Sequence, residues 1–182
     1  MESYLFTSKR LGFRNWQEKD KLPFSKMNAD NEVMKYFPNT LTKKENDALV
    51  DRLHKHFIEN GYTFFAVDEL ETNKFIGFIG IVNTPFKAHF TPCVEIGWRL
   101  QQKSWNKGFA TEGAKRCLQY AFETLNFNKI YSFTALNNSN SENVMLKIGM
   151  KKQGTFEHPL LADGHWLKTE LLYKITKLDY VL

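Results

Sequence analysis

Alternating apolar and polar residues predict a series of β-strands along the chain. These segments are rich in aromatic and β-branched residues, which favour strands. They cover residues 10–16, 62–68, 75–82, 94–100, 129–136, 151–156 and 167–178. The turn Glu69–Lys74 joins the second and third segments, so we expect a hairpin at that point.

Apolar residues at helical spacing and capping residues predict the helices. Thr42 and Glu45 form a capping box, and Asn60-Gly61 supplies a C-cap for the same helix. Ser139 with Glu142 predicts a later helix that Gly149 closes. Short helices are predicted over 20–27 and 31–37. The longest apolar face follows Gly108 and comprises Ala110, Ala114, Leu118, Ala121, Phe122 and Leu125.

The order of these elements predicts a mixed α/β layer fold. It runs strand, helices, three strands, helix, strand, helix and two strands. A length of 182 residues suits one domain, and no internal repeat or linker divides the chain. We therefore expect a single domain over 1–182.

Charge and cysteine usage restrict the partners. The net charge is +5, but Lys and Arg are interspersed with acidic residues, so we expect no nucleic-acid partner. An anionic cofactor accounts equally well for this modest excess. Cys93 and Cys117 lack metal-ligand spacing, so we expect free thiols, no metal and a cytoplasmic location. The chain shows neither a signal-peptide pattern nor a membrane-length apolar run, and we expect a monomer or homodimer without a membrane partner.

A strand-to-helix turn carries the first candidate chemistry. Strand 94–100 leads through 101–108 directly into the long helix that follows Gly108. A helix N-terminus attracts phosphate through unpaired N–H groups, and Gly108 allows close approach to the backbone. Lys103 and Lys107 add positive charge. The turn therefore predicts a phosphate site, although a plain connection with a geometric glycine is the alternative.

This turn also resembles a known family. Trp105–Glu112 is similar to the W-G-x-G-[YF]-A-T-E segment of the GNAT acyltransferases, in the branch that contains the ribosomal-protein N-acetyltransferases. Trp105 stands at the Gln/Arg position of the pyrophosphate loop, and Asn106 replaces the usual glycine. Further matches follow in the family's order over nearly the whole chain: Glu95–Leu100, Asn138–Ser141 with Val144 and Lys147–Met150, Ser8–Leu11, and Leu172-Tyr173.

The resemblance implies a mixed, mostly antiparallel sheet with helices on both faces, splayed between the family's fourth and fifth strands. Acetyl-CoA, the implied co-substrate, lies in that splay, with its thioester near Trp98. The backbone of Trp98, Arg99 and Leu100 pairs with the pantetheine arm as an added strand does, and Asn138 also contacts the cofactor. The pyrophosphate turn comprises Lys103, Trp105, Asn106, Lys107, Gly108, Phe109, Ala110 and Thr111.

Amide formation from a thioester needs a deprotonated amine and a stabilised leaving thiolate. Glu95 is the candidate general base, because its strand passes near the implied thioester; a salt-bridged surface carboxylate is the alternative. Many family members protonate the thiolate with a Tyr at the position of Met145, which cannot donate. Ser141 is the candidate acid, and a helix-start hydroxyl is its alternative.

The resemblance implies an N-acetyltransferase that transfers acetyl directly to a primary amine, either a protein N-terminus or a small molecule. A CoA-binding sensor or interaction module without catalysis is the competing hypothesis, which Met145 favours. The acceptor pocket is predicted among aromatic and histidine side chains whose alternative role is core packing. They are Tyr36, Phe37, Phe86, His89, Phe90 and Trp166.

Overall fold

The computed structural model describes residues 4–180, and residues 1–3 and 181–182 lie outside it. Eight strands are present in chain order. They are β1 (Phe6–Thr7), β2 (Leu11–Arg14), β3 (Phe64–Glu69), β4 (Lys74–Asn83), β5 (Val94–Leu100), β6 (Lys129–Ala135), β7 (Lys151–Glu157) and β8 (Thr169–Thr176). Each predicted strand is confirmed with small shifts at its ends, and the predicted β3–β4 hairpin forms. The two-residue β1 was not predicted.

The strands form one mixed sheet in the order β1-β2-β3-β4-β5-β6-β8-β7. Every neighbouring pair is antiparallel except β5 and β6, which are parallel. Their register contains a single pair, Glu95 with Tyr131, beyond which the strands separate. This is the splay predicted between the family's fourth and fifth strands, since the short β1 advances the numbering by one.

In the part of the chain that the structure describes, four α-helices flank the sheet: α1 (Lys21–Asn28), α2 (Lys43–Asn60), α3 (Phe109–Gln119) and α4 (Ser139–Lys147). The capping box of α2 is present, with Gly61 in the left-handed C-cap conformation at φ 78°. A π-helical turn, Tyr120–Thr124, extends α3. This turn forms the C-terminal part of the helix that the sequence predicts after Gly108.

Two predicted helix features are wrong. Residues 31–37 form hydrogen-bonded turns and no helix. Asp30 caps the N–H groups of Glu32 and Val33, and so short a segment before Pro38 cannot offset the cost of helix nucleation. The N-cap of α4 is Asn138, whose Oδ1 accepts from the N–H of Ser141. The predicted Ser139–Glu142 capping box is therefore wrong, because the N-cap lies one residue earlier.

The helices cover both faces of the sheet, as the resemblance implies. On one face, α3 and α4 pack on side chains such as Phe13, Ile79 and Ile96. On the other face, α1 and α2 cover Ala66, Phe78 and Val82. Because side chains alternate along a strand, the burial of Ile96 beneath α3 turns Glu95, Gly97 and Arg99 toward the face of α1 and α2.

The 84–93 segment covers the far end of that second face. Its Phe86 and Phe90 pack with side chains from the distal strands, namely Tyr131, Phe156 and Leu172. Asn28 at the end of α1 contacts Arg99, and Tyr131 of the aromatic cluster pairs with Glu95, so α1 and the cluster flank this face of β5. The fold thus places one face of β5 between two supporting walls.

Candidate active site

The gap between β5 and β6 opens just after their single paired position. Ser132 Oγ donates to the carbonyl oxygen of Ile96 at 2.9 Å, which places the Ile96 backbone on the side of β6. Since backbone direction alternates along a strand, Trp98 and Leu100 also present their backbone to the gap. A cofactor arm can add there as a strand does.

Arg99 differs from the sequence expectation. A Cβ added at Gly77 on β4 would lie 2.1 Å from the Arg99 carbonyl oxygen, so the Arg99 backbone faces β4. Trp98 and Leu100 therefore hold the predicted backbone position along the gap and Arg99 does not. Its side chain, however, lies on the face of β5 that carries Glu95.

The turn after β5 is held in shape by Trp105. The indole Nε1 donates to the carbonyl oxygen of Leu100 at 2.7 Å. Asn106 and Gly108 adopt left-handed backbone conformations, with φ of 59° and 79°. Gly108 is the N-cap of α3 and provides no capping side chain, so the first-turn N–H groups are open to an anion.

Positive charge surrounds this helix start. Lys103 and Lys107 are exposed. Arg10, which the sequence did not single out as a site residue, places its guanidinium 4.5 Å from the Phe109 ring centre and its Nη2 3.6 Å from the Cβ position of Gly108. The Nε of Arg10 bonds to Glu112 at 2.7 Å. The turn after β5 and the β1–β2 connection together form a cationic cradle.

The remaining residues of the turn differ in burial. Phe109 is buried and anchors the start of α3, while Ala110 and Thr111 are partly buried and Asn106 and Gly108 are exposed. Small Ala110 leaves the helix start uncovered. These positions suit the predicted pyrophosphate contacts, which stay predictions.

Glu95 is partly buried and has a tuned carboxyl group. Burial raises the pKa of Glu95 to about 7, and a hydrogen bond from Thr84 partly opposes that rise. Thr84 Oγ1 donates to Glu95 Oε2 at 2.9 Å and lies 3.2 Å from Cys93 Sγ. A carboxylate with a pKa near neutrality is suited to general base work.

Glu170 on β8 is a second carboxyl group on this face. Its Oε2 is buried and has no hydrogen-bond partner among the described residues. Burial, followed by the charge of Glu95, raises the pKa of Glu170 to about 7. Two carboxyl groups that influence each other electrostatically thus face the space beside the gap.

Helix α4 holds the other predicted polar residues. The Nδ2 of Asn138 donates to Thr134 Oγ1 at 2.9 Å, and its Oδ1 caps α4, so its side chain already supports the fold. Ser141 is partly buried at the first turn of α4. Met145 is only 1% exposed and packs in the core, and its thioether has no proton to donate.

The predicted acceptor residues divide into three groups. Phe37 stacks over the Arg99 guanidinium at 3.9 Å, and Tyr36 donates to the carbonyl oxygen of Asn137 at 3.2 Å across the gap. Phe86 and Phe90 fill the aromatic cluster, and His89 is exposed beside Phe90. Trp166 is 60% exposed and stacks on His165. A surface depression of about 450 Å³ is lined by Thr84, Pro85, Phe86, Lys87, Ala88, Thr91 and Pro92.

Four residues at the site were missed by the sequence reasoning. Thr84, Glu170 and Asn28 contact or face groups that are distant along the chain, and Arg10 pairs with Glu112 across 102 positions. Strand alternation offered one signal, because Glu170 lies on the face of buried Leu172. Nothing in local spacing marked the others.

Metal-ligand groups and membrane-spanning helices are the two remaining features that concern the expected partners. Within residues 4–180, no group of three or more His, Cys, Asp or Glu side chains could hold a metal ion. In the same part of the chain, none of the helices combines the length and apolar character needed to span a membrane.

Comparison with known proteins gives matches over nearly the whole chain. The model of the acetyltransferase (GNAT) domain matches residues 10–151. An uncharacterized N-acetyltransferase of Bacillus subtilis, YnaD, is 31% identical over 161 residues, covering 88% of this chain and 90% of YnaD. The structure of a GNAT-family acetyltransferase from Bacillus anthracis has a TM-score of 0.78 and 28% identity, covering 94% of this chain and 98% of that one.

A third match concerns the fold alone. Spermidine N-acetyltransferase from Vibrio cholerae, solved with CoA and spermine, has a TM-score of 0.75 and 22% identity over 94% of this chain and 98% of its own. The family model spans most of the chain, and the overall fold is shared with a solved GNAT-family acetyltransferase. The chain therefore belongs to the GNAT acetyltransferase family and is an acetyl-CoA-dependent acyltransferase.

Proposed function

We propose that acetyl-CoA binds along the β5–β6 gap and that the protein transfers its acetyl group to a primary amine. The observation that carries this proposal is that the gap opens at Glu95 and that β5 leads from there to the uncapped start of α3. One end of the gap offers open backbone groups and the other offers a carboxyl group. This arrangement suits a long anionic thioester.

The residues around the gap match the parts of such a substrate. Trp98 and Leu100 present backbone groups that can bond to amides of the pantetheine arm. The helix start at Gly108, with Lys103, Lys107 and Arg10 around it, can hold the pyrophosphate. The CoA carried by the Vibrio cholerae relative supports this assignment.

The chemistry needs one proton acceptor and one proton donor. Acetyl-CoA supplies the acetyl group as a thioester. The amine nitrogen forms a bond to the acetyl carbon as the carbon–sulfur bond breaks, and the nitrogen's proton passes to Glu95, directly or through water. Ser141 is the candidate that protonates the departing thiolate. A thiol is a tolerable leaving group, so this second role adds less to the rate.

Transfer is direct in this proposal. Cys93 contacts Thr84, the residue that also bonds to Glu95. Burial, however, raises the pKa of the Cys93 thiol and disfavours the thiolate. A cysteine in that state is a poor nucleophile. The acceptor amine is therefore the group that attacks.

We also propose where the enzyme works and how it is assembled. Cys93 and Cys117 are free, and free thiols are typical of a reducing compartment. We infer a single catalytic domain that works in the cytoplasm, as a monomer or homodimer.

Release of free CoA thiol tests the proposed function. The protein is incubated with acetyl-CoA and, in turn, peptides with free N-termini, polyamines and amino acids, and products are identified by mass spectrometry. We expect amine-dependent thiol release and an N-acetylated product. If acetyl-CoA binds but no amine is acetylated, the CoA-binding sensor becomes the better account.

A further inference from the structure

Two buried polar atoms lack hydrogen-bond partners among residues 4–180, and both belong to the face of the sheet that carries Glu95. They are Nε of Arg99 and Oε2 of Glu170. Buried polar groups in folded proteins are nearly always paired, so such exceptions call for an explanation. Their common location suggests groups that a ligand completes.

Arg99 has an unusual environment for a guanidinium. It lies between the rings of Phe37 and Phe78, at 3.9 and 5.4 Å from their centres. Its Nη1 donates to Asn28 Oδ1 at 2.7 Å. Asn28 is itself buried and fixed by Asn46. The side chain is held rigidly, which reduces the entropy lost on binding a partner.

No carboxylate among the described residues balances the charge of Arg99. Arg10 and Arg14 each form an ion pair with an acidic side chain. Arg99 has two aromatic rings and one neutral amide in their place. A desolvated cation without a counter-ion is costly, and a planar guanidinium is best satisfied by a carboxylate.

Charges of opposite sign are therefore separated along this face. Glu95 and Arg99 are four positions apart on β5, roughly 13 Å between Cα atoms at ordinary strand rise. Glu170 is close enough to Glu95 for the two carboxyl groups to interact. One end of the face attracts a cation, and the other attracts an anion.

We propose that the acceptor carries a carboxylate as well as the reactive amine, and that Arg99 binds this carboxylate while the amine lies beside Glu95 and Glu170. The acceptor class is thus an amino acid or an amino-acid-like small molecule. This inference rests on the proposed acetyl transfer and specifies its substrate.

The same charges disfavour a polyamine acceptor. A second or third ammonium group that extends along β5 would approach the Arg99 guanidinium, which has no acidic neighbour to shield it. Repulsion in a desolvated site is an effective means of excluding a wrong partner. Polyamines should therefore be poorer acceptors than molecules with a carboxylate.

Matched pairs of acceptors test the proposal. The α-amino acids are each compared with their own carboxamides, together with the pairs lysine and cadaverine, and ornithine and putrescine. Each pair keeps the reactive amine and removes the carboxylate charge. For the amino acids that are acetylated, we expect kcat/KM to exceed that of the uncharged partner by about tenfold or more.

Substitution of Arg99 is the second part of the test. Arg99→Gln should reduce the preference for the carboxylate-bearing member of each pair to near unity, mainly through KM, and Arg99→Lys should retain part of it. Arg52→Gln, on the exposed surface of α2, is the matched control. Calorimetric binding of acetyl-CoA checks that each variant is folded.

The outcomes separate this inference from the proposed function. If acetyl-CoA binds and carboxamides, polyamines or peptides are acetylated as well as or better than amino acids, the acceptor class is wrong and acetyl transfer stands. The same holds if no amino acid is acetylated. Absence of acetyl-CoA binding to the wild-type protein would overturn the proposed function itself.

Discussion

Glu95 illustrates how a single side chain acquires a chemical role from its surroundings. Burial disfavours the charged carboxylate, whereas the Thr84 hydroxyl stabilises it, and burial is the larger effect. The resulting pKa of about 7 leaves a large fraction ionised at neutral pH. A proton acceptor of that strength can both take and release a proton near physiological pH.

Glu95→Gln tests the role of this carboxyl group. We expect kcat/KM to fall roughly 100-fold or more because the proton acceptor is lost. The wild-type rate should rise with pH through about 7 as Glu95 ionises, and the variant should lose that rise. Affinity for acetyl-CoA should change little. An unaltered pH profile would exclude Glu95 as the base.

Thr84→Val tests how the carboxyl group is tuned. The hydroxyl lowers the pKa of Glu95, so its removal should move the rising limb of the rate profile to higher pH. Thr72→Val is a matched control, because Thr72 donates a similar hydrogen bond to Glu69 at an exposed turn. A limb that stays in place in Thr84→Val would show that Thr84 does not act on the base.

The sequence predicted individual site residues only where they belong to a recognisable motif. Gly108 was reached through the strand-to-helix turn and Glu95 through a family segment, while Thr84 and Glu170 were not predicted. Thr84 belongs to a segment without periodicity, and its partner is 11 positions away. Arg99 was reached for its backbone, yet its side chain carries the unpaired charge.

Among the elements, the β5–α3 connection contributes most to the proposed cofactor site. Trp105 closes the turn onto the end of β5, and Gly108 starts α3 in a left-handed conformation. The N–H groups of the first helical turn are left for a ligand. A side chain at Gly108 would both strain the backbone and stand beside those groups.

Gly108→Ala separates these two effects when compared with Gly61→Ala. The glycines have φ of 79° and 78°, so alanine should cost each a similar amount, about 1 kcal/mol of stability. Only Gly108→Ala should also weaken acetyl-CoA binding, by tenfold or more, as measured by calorimetry. Equal affinities in both variants would argue against phosphate binding at this turn.

The accuracy of the predicted elements depended on how local their causes are. The α2 helix was predicted to the residue at its capping box, because Thr42 and Glu45 bond to each other. The 31–37 segment was wrong, because Asp30 stabilises a turn at its start. At α4, Asn138 outcompeted Ser139 as the N-cap, a choice between two good capping residues that spacing does not resolve.

For the whole molecule, the sheet brings two raised-pKa carboxyl groups to one buried face. Glu95 and Glu170 bind protons more tightly in the folded state than in the unfolded chain. Their contribution to stability is therefore complete below about pH 4.5 and is lost as pH rises to about 7. The functional face is stabilised least at the pH where its base is ionised.

Glu170→Gln should reveal this cost in the free energy of unfolding. The neutral amide cannot ionise, so the variant should be about 1–3 kcal/mol more stable than wild type at pH 8, with little difference near pH 4.5. Urea unfolding at several pH values measures the effect. Glu71→Gln, at an exposed turn, should follow the wild-type curve. A Glu170→Gln curve parallel to wild type would contradict the assignment.

Overall topology was predictable in its order but not in its geometry. Alternation and helical spacing indicated the mixed α/β class, and the family resemblance implied the splay. The place where β5 and β6 meet before they separate depends on contacts between residues more than 30 positions apart, such as Ser132 with Ile96. Local sequence patterns contain no information on such pairings.

A titration with acetyl-CoA, monitored by NMR of the backbone amides, tests the central claim most directly, because it reports both the affinity and the location of binding. Saturable shifts are expected for the amides of Trp98 and Leu100 along the gap and for those of residues 108–111 at the start of α3. The amides of α2 should stay unchanged. An absence of shifts at millimolar acetyl-CoA, or saturable shifts confined to other parts of the protein, would contradict the proposed site.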